Sequence, residues 1–219
     1  MASEELGPLP AGRHGYSREQ VEHNQRERLI AGLATAVAEH GYAAVTITHI
    51  TKAARVSRRV FYANFESKEE CFLVAFEVVA GYVRELAAAA AAEEDDWAHR
   101  AIAAARAALS FFAEEPDLAR LCLVESTSAG SAVASRFRAA IDEVEPFLAQ
   151  GREERTSAER DLPVSTEASI LGALVSLASR RVGAGEAARL PELLPDFAEF
   201  ILAPYLGAAE AARLAREAA

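Results

Sequence analysis

An all-α fold of about nine helices in two modules is what the sequence predicts, and three observations predict it. Apolar residues recur at three- and four-residue intervals along most of the chain. No stretch alternates with the period of two that marks a strand, and Ser, Thr or Asp stands at the start of several periodic segments, where its oxygen can cap free helical N–H groups. With 219 residues, 51% of them apolar, the chain is long enough to bury a core in one large or two small domains and too hydrophobic to stay disordered.

Residues 1–20 hold two prolines and three glycines without apolar periodicity and read as a flexible arm. A first helix follows from Val21, its stripe made by Leu29, Ile30, Leu33 and Val37, and Gly41 is its stop. Thr46 caps a short helix carrying Ile47, Ile50 and Ala53. Ser57 caps another carrying Val60, Phe61 and Phe65, with Ala54, Arg55 and Val56 as the turn between them. Ser67-Lys68-Glu69-Glu70 has the pattern of a reciprocal capping box and opens a long helix through Phe72, Phe76, Val79, Val83 and Leu86 toward Ala92. The run Ala87 to Ala92 is read as plain helix, since alanine is the strongest helix former. Asp95 or Asp96 caps the next helix, which ends before Pro116, and further segments are expected at about 116–125, 132–154, 165–182 and 191–206.

The net charge of −10 hides an asymmetry. Residues 13–68 carry +4, whereas everything from Glu69 onward carries −12. A basic module joined to an acidic one points to a polyanion as partner of the first. Two short helices joined by a three-residue turn, the second led by consecutive arginines, describe a helix-turn-helix over residues 21–68. Only an element about as thick as a helix fits the major groove, and only its outward leading side chains reach base edges. Arg58 and Arg59 occupy that place, and each guanidinium can bond guanine O6 and N7 with two parallel donors. Arg13, His14 and Arg18 ahead of the first helix are open to two readings, a minor-groove arm or a tail of scattered charge.

The stretch from Gly41 to Ile50, followed by Ala53-Ala54-Arg55-Val56-Ser57-Arg58-Arg59-Val60-Phe61-Tyr62-Ala63-Asn64-Phe65-Glu66-Ser67-Lys68-Glu69, closely resembles the DNA-binding signature of the TetR family of transcriptional regulators. The resemblance covers about 45 residues; the remaining 150 or so match in layout alone. It implies that Thr46, Tyr62, Asn64 and Lys68 hold phosphates, and that Thr48, Arg58 and Arg59, behind the Ser57 cap, face bases or neighbouring backbone. Two positions depart from the family pattern. Arg55 stands where glycine is usual, at a cost of roughly 1 kcal/mol if its φ is positive, and Val60 stands where threonine is frequent.

The resemblance further implies that residues 69–219 form an effector-binding and dimerisation domain with an internal cavity. Its candidate lining residues are Phe76, Tyr82, Trp97, Ile102, Arg106, Phe112, Phe137 and Ile141, each of which could equally pack the core. The last two helices are apolar over more than one stripe, which implies contacts on two sides. Ile170, Leu171, Leu174, Leu177, Phe197, Ile201 and Tyr205 are therefore expected at a two-fold homodimer interface, which also supplies the two recognition helices a palindromic operator requires. No cofactor is expected. Cys71 and Cys122 are too few for a disulfide framework, and Cys71, near the start of the long helix, is either an inert buried thiol or a redox-sensitive one. His49 has no partners at ligand spacing, so no metal site is expected.

The function expected is a cytoplasmic, DNA-binding transcriptional regulator, a repressor released by a small-molecule effector. Neither GxSxG nor HExxH nor a Gly-rich phosphate loop occurs, so no enzymatic activity is expected. No apolar run reaches the roughly 18 residues of a membrane span, and no basic-then-apolar leader opens the chain. The alternative is a regulator-like fold that acts through protein–protein contacts without operator binding.

Overall fold

The computed structural model describes residues 17–154 and 161–219. Arg13 and His14, the centre of the expected arm, lie outside the described residues. Among those described the chain forms eleven α-helices and no strand. They are α1 (Arg18–His40), α2 (Ile47–Ala53), α3 (Arg58–Asn64), α4 (Lys68–Ala92), α5 (Trp97–Glu114), α6 (Pro116–Leu123), α7 (Ser131–Asp142), α8 (Glu145–Ala149), α9 (Thr166–Gly183), α10 (Leu194–Leu206) and α11 (Ala208–Ala218). No helix of the described residues is long and apolar enough to cross a membrane.

Capping oxygens set most of the early boundaries. The Thr46 hydroxyl accepts from the His49 amide at 3.3 Å, the Ser57 hydroxyl from the Val60 amide at 3.2 Å, and the Ser67 hydroxyl from the Glu70 amide at 3.0 Å. The expected box at Ser67 is half made, because the Glu70 carboxylate accepts from the Glu66 amide rather than from Ser67. Asp96 accepts from the amide of His99 at 3.0 Å, and that bond holds its carboxyl below the usual range. A full reciprocal box stands where the sequence reading placed none. Ser17 and Gln20 exchange bonds of 3.1 and 2.8 Å, so α1 begins at Arg18 and takes residues 18–20 from the expected arm.

Nine expected segments become eleven helices for two reasons. Pro146, in the first turn of α8, has no N–H to continue the ladder, so the segment expected at 132–154 breaks after Asp142. Past Gly207, whose φ of 84° stops α10, the chain forms a further helix, α11, that buries Ala211, Leu214, Ala215 and Ala218.

Two apolar cores hold the helices together. One runs from Leu29, Leu33 and Val37 of α1 through Ile50 and Phe61 into Phe72, Phe76 and Val79 of α4, and on to Leu121 and Val133. It does not stop at Lys68, so the helix-turn-helix shares its interior with α4, α6 and α7. The other joins α5, α9, α10 and α11 around Trp97, Leu190, Ala198 and Leu202. Trp97 lies against Gly151, where an added Cβ would come within 2.5 Å of its ring, and donates its indole N–H to the Phe147 carbonyl at 3.1 Å.

The approach of α1 to α2 depends on a missing side chain. A Cβ on Gly32 would sit 2.6 Å from the backbone nitrogen of Ala54, closer than packed atoms come. Gly32→Ala must therefore push α2 away from α1, and it is expected to lower stability by about 1 to 3 kcal/mol. A thermal melt followed by circular dichroism checks this; an unchanged Tm contradicts the close approach.

Candidate nucleic-acid interface and apolar cavity

The basic module presents one continuous face. Thr46, Thr48, Ser57, Arg58, Arg59 and Tyr62 are all exposed, whereas Phe61 and Phe65 turn back into the core. Neither Arg58 nor Arg59 makes a hydrogen bond or ion pair with another described residue. Both guanidinium groups are therefore free to donate outward from the leading turn of α3.

Arg55 has φ = 52°, the left-handed conformation that favours glycine. Arg28, which the sequence reading passed over, explains how the turn tolerates it. Its guanidinium is buried beneath the turn and donates to the carbonyls of Ala54 at 2.6 Å and of Arg55 at 2.7 Å. Those two bonds fix the carbonyl directions that a left-handed residue requires. Burial, followed by the charge of Arg55, lowers the pKa of Arg28, yet an arginine stays protonated. A buried arginine on α1 was not legible as a turn anchor, because its two acceptors lie 26 and 27 residues away.

Two residues implied to hold phosphates have partners inside the protein. The Asn64 amide donates to the Val60 carbonyl at 2.9 Å. The Lys68 ammonium lies over the Tyr42 ring, 4.1 Å from its centroid, and donates to the carbonyls of Tyr42 at 2.7 Å and Val45 at 2.9 Å. Lys68 therefore ties the start of α4 to the α1–α2 turn, with one ammonium hydrogen remaining. The same turn is held from the other side. Glu125, buried just beyond α6, accepts from the Tyr42 amide at 3.0 Å and lies 3.3 Å from the Arg120 guanidinium. The His49 imidazole accepts from the Thr46 amide at 3.4 Å. Cys71 is fully buried and burial pushes its thiol up to about 12, which removes the thiolate that oxidation needs.

Beyond the basic module lies a cavity of about 430 Å³ bounded by α4 to α10. Four expected residues, Phe76, Phe112, Phe137 and Ile141, line it. The other four do not. Trp97 is core, and Tyr82 packs on Phe111 with ring centroids 5.4 Å apart. Ile102 and Arg106 lie on another face of α5, at a separate hollow of about 140 Å³ against α11, where Arg106 donates to the Ala218 carbonyl at 3.1 Å. What opens the cavity was read as bland sequence. Ala87, Ala88 and Ala91 of α4 face Ala101, Ala104, Ala105 and Ala108 of α5, and side chains this small leave the space unfilled.

The expected dimer residues also move inward. Leu171, Leu174, Phe197 and Ile201 line the cavity wall, Ile170 and Tyr205 are core, and Leu177 packs against that core. The second apolar stripe of α10 is covered by α5 and α11, and that of α9 by α6, α8 and α10, all of the same chain, so wide apolar coverage did not by itself imply a second copy. Tyr205 donates to Glu167 at 2.9 Å, and the Arg152 guanidinium grips the same carboxylate with bonds of 2.8 and 2.7 Å. That grip holds Glu167 below the usual carboxylate range despite its burial.

Residues 29–75 match the family profile described as bacterial regulatory proteins, tetR family. No curated protein matches the chain. Among solved structures, the chain is similar to the fatty acid degradation regulator FadR of Bacillus halodurans, with a TM-score of 0.71 and 19% identity over 80% of this chain and 97% of that one. FadR of Bacillus subtilis, solved with stearoyl-CoA, gives 0.69 and 16% over 83% and 98%. A TetR family transcription regulator of Marinobacter aquaeolei gives 0.63 and 18% over 82% and 97%. The match to the tetR family is thus carried by residues 29–75, and the chain as a whole shares the fold of the TetR family regulators it is similar to.

Proposed function

We propose that this protein is a cytoplasmic, dimeric regulator of transcription that binds a palindromic DNA operator through α3 and is released from it, as a repressor, by an apolar small molecule in the cavity. The observation that carries the reading is the pair Arg58 and Arg59, exposed and without side-chain partners among the described residues at the head of α3, on a turn that Arg28 holds in shape. Thr46, Thr48, Ser57 and Tyr62 surround them as neutral donors to phosphate, and the remaining hydrogen of the Lys68 ammonium is a charged one.

The two departures from the family pattern do not favour the alternative without DNA. Arg55 keeps the left-handed turn, and Val60 is half-buried against the core with its amide on the Ser57 cap. An effector acts only through different affinity for two arrangements of the protein. A route exists for that difference: Cys122 and Leu123 line the cavity, and Glu125, two residues further on, bonds the turn that leads into α2. The likeness to a regulator solved with stearoyl-CoA supports an apolar occupant.

Electrophoretic mobility shift with duplex fragments from upstream of the gene is the direct test. Arg58→Ala and Arg59→Ala each remove a pair of base-facing donors and are expected to weaken specific binding by roughly 5- to 150-fold, the equivalent of about 1 to 3 kcal/mol. Specific binding unchanged in both variants contradicts the assignment. Lys68→Ala is a poor probe here, because it would also loosen the α1–α2 turn.

Dimerisation belongs to the outward faces of α9 and α10. Ser169, Gly172 and Ser176 lie exposed along α9, a Cβ on Gly172 would meet nothing, and Phe200 of α10 is 51% exposed. Small residues let two such helices approach a partner closely, and an exposed phenylalanine gives it an apolar anchor. Sedimentation equilibrium is expected to give the mass of two chains for the wild type and of one for Phe200→Glu. A wild type that sediments as one chain contradicts the dimer.

A further inference from the structure

The mouth of the cavity between α4 and α7 carries a charge arrangement that its apolar interior does not need. Arg84 is the one charged side chain among the described residues that line the cavity. Its guanidinium is ion-paired with Glu143, at the end of α7, and Glu143 simultaneously accepts from Arg136 at 2.9 Å. Arg136 also lies 3.5 Å from Glu77 of α4. Glu143 itself does not line the cavity, so the charge facing an occupant is positive.

We propose that this mouth is the headgroup site for an anionic amphiphile with a single aliphatic chain, and that Glu143 is an internal stand-in which the incoming anion displaces from Arg84 and Arg136. The inference rests on the reading of the cavity as an effector site and adds the chemical class of the effector. Within the cavity, phenyl rings and alanine methyls offer nothing to bond a polar group, which suits a hydrocarbon chain. The lining positions on α4 extend from Phe76 to Ala91, about 22 Å of helix at 1.5 Å per residue, an elongated shape rather than a round one.

At the mouth, a carboxylate or phosphate attached to that chain would lie beside Arg84, where a guanidinium bonds either anion with two parallel donors. The resident pair is weakly held, since Arg84 and Glu143 are 52% and 40% exposed and such pairs contribute little. Glu143 is released directly to water when displaced. An uncharged chain leaves the pair closed over it; a cationic head would face Arg84 and be rejected.

Two sources share this chemistry, a free fatty acid with its carboxylate and an acyl-CoA with its phosphates. Isothermal titration of the full-length protein with sodium dodecanoate, lauroyl-CoA, 1-dodecanol and dodecyltrimethylammonium separates them. At least one of the two anionic ligands is expected to bind tenfold or more tighter than 1-dodecanol, and the cation most weakly. Preference for dodecanoate assigns the carboxylate, and preference for lauroyl-CoA assigns the phosphates.

Arg84→Gln is expected to weaken the preferred anion about tenfold and leave 1-dodecanol unchanged, while Glu143→Gln tightens the anion several-fold. Both positions are exposed, and circular dichroism verifies that each variant is folded. Equal affinity for anionic and neutral chains, or equal loss of both in Arg84→Gln, overturns the headgroup site while leaving the cavity as an effector site. Absence of binding by all four ligands overturns the cavity reading and this inference with it.

Discussion

One helix has to satisfy two opposite packing demands, and the rest of the molecule follows from how α4 does so. Its first half carries Cys71, Phe72, Ala75, Phe76 and Val79, all buried in the core shared with α1, α2 and α3. Its second half carries Ala87, Ala88 and Ala91, too small to fill the space against α5, and there the cavity opens. A close-packed interior transmits displacement rather than absorbing it. A shift of the alanine half would therefore reach the half packed against α1.

The turn between α1 and α2 is where that connection becomes specific. Three charged side chains from three different helices or their ends converge on the backbone around the recognition unit. Lys68 holds the carbonyls of Tyr42 and Val45, Glu125 holds the amide of Tyr42, and Arg28 holds the carbonyls of Ala54 and Arg55. Each is a charge-assisted bond to a backbone group, stronger than a neutral one. Of the three, Lys68 starts α4 and Glu125 follows α6, and both of those helices line the cavity. Arg58 and Arg59 by contrast have no side-chain partner among the described residues, which suits groups meant for a partner.

What the sequence disclosed was mostly local. Thr46, Ser57, Ser67 and Asp96 cap the helices read from them, and the arginines after Ser57 face outward as helical geometry demands. The resemblance marked position 55 as one where glycine is usual, and there Arg55 has a φ of 52°. Interactions across long separations were hidden: nothing near Arg28 marks it as the partner of residues 26 and 27 positions later. The alanines of α4 and α5 read as good helix formers, and a void is a property of two facing surfaces rather than of either one. For the same reason the apolar stripes of α9 and α10 could not say whether other helices of the same chain or a second chain would cover them. Pro146 was available as a break in the 132–154 segment, but five residues of α8 are too few to show helical periodicity.

Regulation by an effector requires thermodynamic coupling between the cavity and α3. If ligand and DNA favour different arrangements of the same protein, each must weaken the other by one common factor. The direct measurement is the affinity for dodecanoate of the protein alone and of the protein saturated with a duplex that it shifts, set beside the affinity for that duplex with and without dodecanoate. The expected result is two ratios that agree, in the range of about 5 to 150. Identical dodecanoate affinity with and without DNA would show that the cavity and the recognition helix do not communicate.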